Sequence, residues 1–433
     1  MIEQLDALRA IDFNWTRQLK SVWRDQPYHT PAIHQDVLED LIRYFLTNTR
    51  DPEPDNEPVG RVIVGPAGLG KTHLVGELRR RVWEESGTFI LLDFVGVKDF
   101  WSSVALGFLN SLQVRVDEHR TQYDGLIHKV ASLLNLQPQL ADIAGRLKGR
   151  PRELMSELVK TFLGALARRD RAMTQQHGDV VRALVLLISE DLECGSIAHA
   201  WLQGMDLDAT ELRDLGFLAV KKPAIDIVRG ISWLLSLVGP TLIAVDQIDS
   251  IISESNAERH FDNEGIGAEQ RETQSIIEAL VNGLMGLHEV KQRAIIVVSS
   301  LEASWEILRH RSTVAVEARY RPPTVLNALS RPQVAQMLIA ARLAPTYAAG
   351  GLSPPYETWP FAPEAFETAV GFSPRQLLKA CDEHRQRCMA AGKVLICSTF
   401  ENAQPLPSPP LAAGLDATFS HECAPPRSRA CLT

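Results

Sequence analysis

Apolar residues recur at helical spacing through Val37, Leu38, Leu41, Ile42 and Phe45, which predicts a helix over 32–47. The acidic, proline-bearing stretch DPEPDNEP at 51–58 then reads as a linker, with a new core beginning behind it. There the period changes. Residues 61–64 are a short β-branched run, a glycine-rich turn follows, and helical spacing resumes from 71 to about 83. Further apolar runs of strand length lie at 88–94, 241–245 and 294–298, each separated from the next by helical sequence. This alternation predicts an α/β fold built on a parallel sheet.

The interval between the second and third runs is far longer than one crossover helix needs. Its helical patterns, at 126–135 and 153–167 among others, predict a large helical insertion at about 113–235. After the fourth run the chain is helical again at 332–343 and 374–389, as in a small helical lid. From 401 the character changes: six of the 25 prolines fall in the last 33 residues and large apolar residues become few, which predicts a disordered tail. The expected organisation is an N-terminal helical segment and linker (1–59), a core with its insertion (60–325), a lid (326–398) and a proline-rich tail (399–433).

Composition narrows the class. With 45% hydrophobic and 23% charged residues, the 433-residue chain has the usual globular mix and length for two or three domains. Its formal charge of −8 gives no general attraction to phosphate backbones or anionic lipid. Six scattered cysteines without a CxxC pair argue against a disulfide scaffold or a zinc ribbon. The N-terminus has no apolar signal region, and the longest uncharged stretch, 230–245, is broken by Gly239 and Pro240 and too short to span a bilayer. The expected location is the cytoplasm, with no membrane partner.

The sharpest chemical signal is Gly65-Pro66-Ala67-Gly68-Leu69-Gly70-Lys71-Thr72, which matches GxxxxGK[ST] between a predicted strand and a predicted helix. Glycines let backbone N–H groups turn inward around phosphate oxygens, and the helix N-terminus adds its positive dipole. Lys71 then reaches the β and γ phosphates of ATP, and Thr72 offers a hydroxyl to Mg²⁺. A second magnesium ligand must come from a neighbouring strand end, and TLIAVDQID supplies Asp246.

These motifs resemble those of the AAA+ class of P-loop ATPases over about residues 30–395. That resemblance implies ATP and Mg²⁺ as cofactors and ATP hydrolysis as the activity. The class usually carries a glutamate after the Walker B aspartate; here Gln247 stands there, which implies slow turnover unless Asp249 or Glu254 serves as base. Ser299 and Ser300 fall at the sensor-1 position. Gly371-Phe372-Ser373-Pro374-Arg375-Gln376-Leu377-Leu378 looks like the lid-helix opening of the origin-recognition and Cdc6-like or STAND-like branch, making Arg375 sensor 2. Arg309 and Arg311, with Arg319 and Arg321 as rivals, stand near the place of an arginine finger, which implies a homo- or hetero-oligomer. Tyr28, His29 and Pro31 precede the first core helix, where the class often contacts adenine.

Within the insertion, WLxGxxLxxxELRxLG from Trp201 to Gly216 looks like a segment of bacterial conflict-system ATPases, including those of BREX-type phage-defence loci. The alternative is a helix that merely packs. Residues 146–171 hold eight basic side chains against three acidic ones, a local +5 that could track nucleic acid. The apolar stripe of Leu154, Leu158, Phe162 and Leu166 favours an amphipathic helix with a solvated basic face, and Asp206, Asp208, Glu211 and Asp214 could pair with that face in a contact between subdomains. The expected function is an ATP-dependent conformational and assembly switch with partner proteins, in a bacterial system acting on DNA or phage. The rival is a nucleotide-binding scaffold without significant turnover.

Overall fold

The computed structural model describes residues 4–14, 19–25, 28–50, 58–94, 99–147, 149–189, 191–249, 252, 269–311 and 315–400. The proline-rich tail and Glu254 lie outside the described residues. The fold is α/β. Five strands, β1 (Arg61–Val64), β2 (Thr88–Asp93), β3 (Thr241–Asp246), β4 (Ala294–Ser300) and β5 (Thr324–Val325), form a parallel sheet in the order β2-β3-β4-β1-β5. Four of these are the apolar runs read from the sequence. The fifth has only two residues behind Pro322 and Pro323, too short to produce a period.

Because side chains alternate along a strand, the sheet builds two cores. Val62, Val64, Ile90, Leu92, Ile243, Val245, Ile296 and Val298 face one way, into a core shared with the insertion. Ile63, Phe89, Leu91, Leu242, Ala244, Ile295 and Val297 face the other. That second face is covered by α2 (Gln35–Thr49) and α3 (Lys71–Glu84), through Leu38, Leu41, Phe45, Leu74, Leu78 and Val82. Burial on both faces explains why the strands read as unbroken apolar runs. A short helix, α1 (Gln4–Arg9), precedes α2.

The insertion between β2 and β3 runs through α4 (Phe100–Leu112), α5 (Gln122–Leu133), α6 (Gln137–Arg146), α7 (Pro151–Arg169), α8 (Arg171–Leu186), α9 (Leu192–Leu202), α10 (Ala209–Asp214) and α11 (Ala224–Val238). It shares one apolar core with the sheet rather than forming a detached body. After β3 come α12 (Glu269–Val290), and after β4 come α13 (Glu302–Arg311) and α14 (Ala315–Arg319).

The lid consists of α15 (Pro332–Gly350) and α16 (Pro374–Ala391) around a separate core. The start of the chain completes that core: Ala7, Leu8, Ile11 and Phe13 pack among Leu338, Ile339, Phe361, Phe366 and Leu377. Leu8 and Phe13, both essentially without exposure, contribute about 1.5–3 kcal/mol each to holding this first segment on the lid. Sequence order alone groups these residues with the segment before the sheet; their packing partners lie more than 300 residues away. Among the described residues no helix is long and apolar enough to cross a membrane.

Candidate nucleotide site

The glycine-rich loop leaves the end of β1 and enters α3 at Lys71. Gly65 N–H donates to Ser300 O at 3.3 Å, tying the loop to the end of β4. Gly68 and Gly70 adopt φ of 90° and 96°, which an L side chain resists, so the loop curves as it does because these positions lack a Cβ. Lys71 Nζ folds back and donates to Gly65 O at 2.6 Å and Pro66 O at 3.3 Å. Burial lowers the Lys71 pKa, and the Asp249 and Asp246 carboxylates oppose that shift.

Thr72 Oγ1 donates to Asp246 Oδ2 at 2.9 Å, joining the first turn of α3 to the last residue of β3. Asp246 is 2% exposed; burial raises its pKa, partly offset by Ser299, Thr72 and the Gln247 backbone. Strand order explains Ser299. β4 runs between β1 and β3, so its end sits between the loop and Asp246. The Ser299 hydroxyl is buried close enough to favour the Asp246 anion, yet has no partner of hydrogen-bonding geometry. Ser300 instead donates its hydroxyl to Leu301 O at 3.0 Å.

Gln247 takes a left-handed φ of 62° where β3 ends, and Asp249 accepts from the Leu301 N–H at 2.8 Å through Oδ1. Both line the same cavity as the loop. Asp249 is thus held between the ends of two strands, with one oxygen already engaged by backbone.

The lid reaches this site through α16. Ser373 caps that helix reciprocally: Ser373 Oγ accepts from Gln376 N–H, and Gln376 Oε1 accepts from Ser373 N–H. Arg375 N–H donates to Gly68 O at 3.3 Å. The Arg375 guanidinium and Lys71 ammonium share one electrostatic environment, the former lowering the pKa of the latter. Both cations line one cavity beside the glycine-rich loop.

The resulting cavity, about 350 Å³, extends away from the phosphate loop towards Tyr28, His29, His34, Leu338 and Arg342. His34 Nε2 lies 2.8 Å from Leu69 O, pinning the segment before α2 to the loop. The Arg342 guanidinium rests over the Tyr28 ring at 4.5 Å, with its Nε buried and without a hydrogen-bond partner. Tyr28 and His29 therefore line the cavity, the positions read from the sequence as adenine contacts. Arg342 and His34 carry no local sequence signal, because their relevance depends on lid and N-terminal segments converging.

Among the described side chains, the candidate finger residues Arg309, Arg319 and Arg321 do not line this cavity. Arg309 pairs with Glu306 at 3.0 Å, Arg319 with Glu289 at 3.0 Å, and Arg321 lies over the Tyr44 ring. Arg311 ends α13, and its side chain is outside the described residues.

Three of the eight basic side chains in the 146–171 stretch form ion pairs. Arg146 meets Asp142, Arg150 meets Glu153, and Arg152 meets Asp191 and Glu193. The expected acidic partners are occupied differently: Asp206 pairs with Lys221, and Asp208 caps α10. The buried stripe of α7 is Met155, Val159, Phe162, Ala165 and Leu166, so Leu154 and Leu158 are only half-buried at its margin. Trp201 is buried, packs on Phe217 and donates Nε1–H to Ala219 O at 3.0 Å. Trp201 thus packs within the insertion.

No known protein family matches the chain, and no curated protein matches it. Among solved structures it is similar to Cdc6p from Pyrobaculum aerophilum, at 9% identity and a TM-score of 0.36, over 87% of this chain and 68% of that one. A likeness of that size leaves the functional reading to the chain's own geometry.

Proposed function

We propose that the protein is an ATP-binding member of the AAA+ class. It acts as a slow ATPase whose nucleotide state controls conformation and assembly. The observation that carries this reading is the contact of the lid helix with the phosphate loop, Arg375 N–H to Gly68 O, beside Lys71 and the Thr72–Asp246 pair. A γ phosphate held by Lys71 would lie under the lid cation, so binding and lid position are coupled by electrostatics.

The residues present fit Mg²⁺: a hydroxyl and a carboxylate, both hard oxygen donors, already adjoin at 2.9 Å, with the orphaned Ser299 hydroxyl beside them. When bound, the ion would neutralise charge on the β and γ phosphates. Thr72 and Asp246 would hold it, Lys71 would orient the phosphates, and Asp249 would accept the proton of an attacking water. Gln247 can orient that water but cannot take its proton.

Bacterial defence or DNA-directed work rests on the short Trp201–Gly216 resemblance, and nucleic-acid binding through 146–171 on a charge excess of which Arg146, Arg150 and Arg152 are engaged in ion pairs. A second reading is favoured by Gln247 and by Asp249 being tied to Leu301 N–H: a scaffold that holds ATP without turning it over. Steady-state ATPase measurement separates the two, with Lys71→Ala as blank. A rate above that blank supports the switch; a rate equal to it, with ATP still bound by the wild type, supports the scaffold.

A further inference from the structure

Along one wall of the cavity three side chains converge: His29, already named as a candidate adenine contact, and His73 and Glu77, which the nucleotide chemistry does not call on. His73 and Glu77 lie one turn apart on α3, so their side chains share a face. His29, from the segment before α2, approaches both: its Nδ1 is 3.0 Å from His73 Nε2 and 3.5 Å from Glu77 Oε1. The candidate ligand atoms of all three lie within 4.8 Å of one another. Glu77 is 3% exposed. Its other oxygen, Oε2, accepts from Arg80 Nε at 3.0 Å, leaving Oε1 turned towards the histidines.

We propose that His29, His73 and Glu77 form a binding site for a divalent transition metal, Zn²⁺ or a close relative, distinct from the magnesium position. Two imidazoles and one carboxylate form a donor set that suits zinc, with a fourth position open to the cavity. At zinc–ligand distances near 2.0–2.1 Å, ligand atoms in a tetrahedral shell stand about 3.3–3.4 Å apart. The observed 3.0 and 3.5 Å bracket that separation for two of the three pairs, and the third lies within 4.8 Å.

The carboxylate's burial points the same way. The guanidinium contact engages Oε2 and leaves Oε1 facing the His29 imidazole at 3.5 Å, too long for a good hydrogen bond. A cation satisfies all three groups at once. The nitrogen ligands also exclude Mg²⁺, which takes oxygen donors and retains its water. Bound metal would clip the Tyr28–Thr30 segment to α3, one turn beyond Lys71, and so fix one wall of the cavity.

The test uses the full chain, stripped with a chelator and titrated with Co²⁺ in excess Mg²⁺ without nucleotide. The expected result is one equivalent bound, with visible d–d absorption of a low-symmetry nitrogen and oxygen shell, displaced by Zn²⁺. His73→Ala and Glu77→Gln should each lose that equivalent while keeping the wild-type circular dichroism. Lys71→Ala should retain it, so failure of the ATP reading and failure of this one are told apart. Absence of uptake by the wild type, or uptake unchanged in both site variants, would overturn the assignment and leave the triad as a proton-sharing hydrogen-bond chain.

Discussion

Gly68→Ala tests the contact on which the coupling of lid and nucleotide depends. Gly68 has a φ of 90°, and a Cβ there would stand 2.7 Å from Arg375 Cβ and 3.1 Å from Arg375 Cδ. The first is the root of the side chain, fixed to α16, so it cannot swing aside as a flexible tip would. Gly70→Ala is the matched control: its φ is 96°, but the nearest atom to its new Cβ is His73 Cβ, at 4.0 Å. Backbone strain of about 1–2 kcal/mol applies to both variants. Only Gly68→Ala adds a steric overlap, of the order of 1–3 kcal/mol if the lid stays in place. Urea unfolding of the nucleotide-free proteins, followed by tryptophan fluorescence, should therefore show Gly68→Ala as the less stable by about that difference. If the lid swings away instead, the cost reappears as a loosened lid, visible as faster proteolysis between α15 and α16. Equal stability and equal proteolysis of the two variants would refute the docked position of Arg375 over the loop.

Gln247→Glu should raise ATP turnover by roughly 10²- to 10⁴-fold, because it adds the absent carboxylate base; Asp249→Asn should lower the residual wild-type rate, and fast wild-type hydrolysis indifferent to both would place the base elsewhere. His288 is 5% exposed with Nε2 unpartnered, and burial, then Lys291 and Arg319, lower its pKa to about 3. The unfolded chain therefore binds the extra proton between about pH 6.5 and 3. The stability His288 contributes is present above pH 6.5 and lost as pH falls through that window, by at most about 1.4 kcal/mol per pH unit. His288→Phe should flatten the slope of thermal stability there, and an unchanged slope would mean the imidazole is not held neutral. ATP should drive association beyond a dimer if a head-to-tail neighbour supplies the finger; light scattering with a slowly hydrolysed analogue, on wild type, Arg309→Ala and Arg311→Ala, reads this, and a protein that stays monomeric contradicts it.

The sheet was legible because its strands are buried on both faces: 242–245 and 294–298 are apolar without interruption. The 65–72 motif was legible because its eight residues are contiguous, and the structure places it between β1 and α3 as the sequence predicts. Thr324–Val325 escaped because two residues carry no period. The packing of Leu8 and Phe13 into the lid, the Arg342–Tyr28 contact and the His29–His73–Glu77 cluster escaped for another reason: each joins positions distant in sequence, 44 residues for the two histidines. Only the His73 and Glu77 spacing, four apart on one helix, was available beforehand, and alone it describes many solvated helix faces. On α7 the second half of the stripe, Phe162 and Leu166, is buried as read, while in the first half Met155 and Val159 are buried in place of Leu154 and Leu158, which look equally apolar.

The central claim, that 65–72 cradles the phosphates of ATP, is tested most directly by ligand-induced stabilisation. A ligand that binds only the folded state stabilises it by RT ln(1 + [L]/Kd), about 2.7 kcal/mol at a hundredfold excess over Kd. ATP with Mg²⁺ should raise the thermal midpoint of the wild type, and Lys71→Ala, which removes the cation now folded over Gly65 O, should abolish the shift. An equal shift in wild type and Lys71→Ala would contradict the account, because the nucleotide would then be bound somewhere other than this loop.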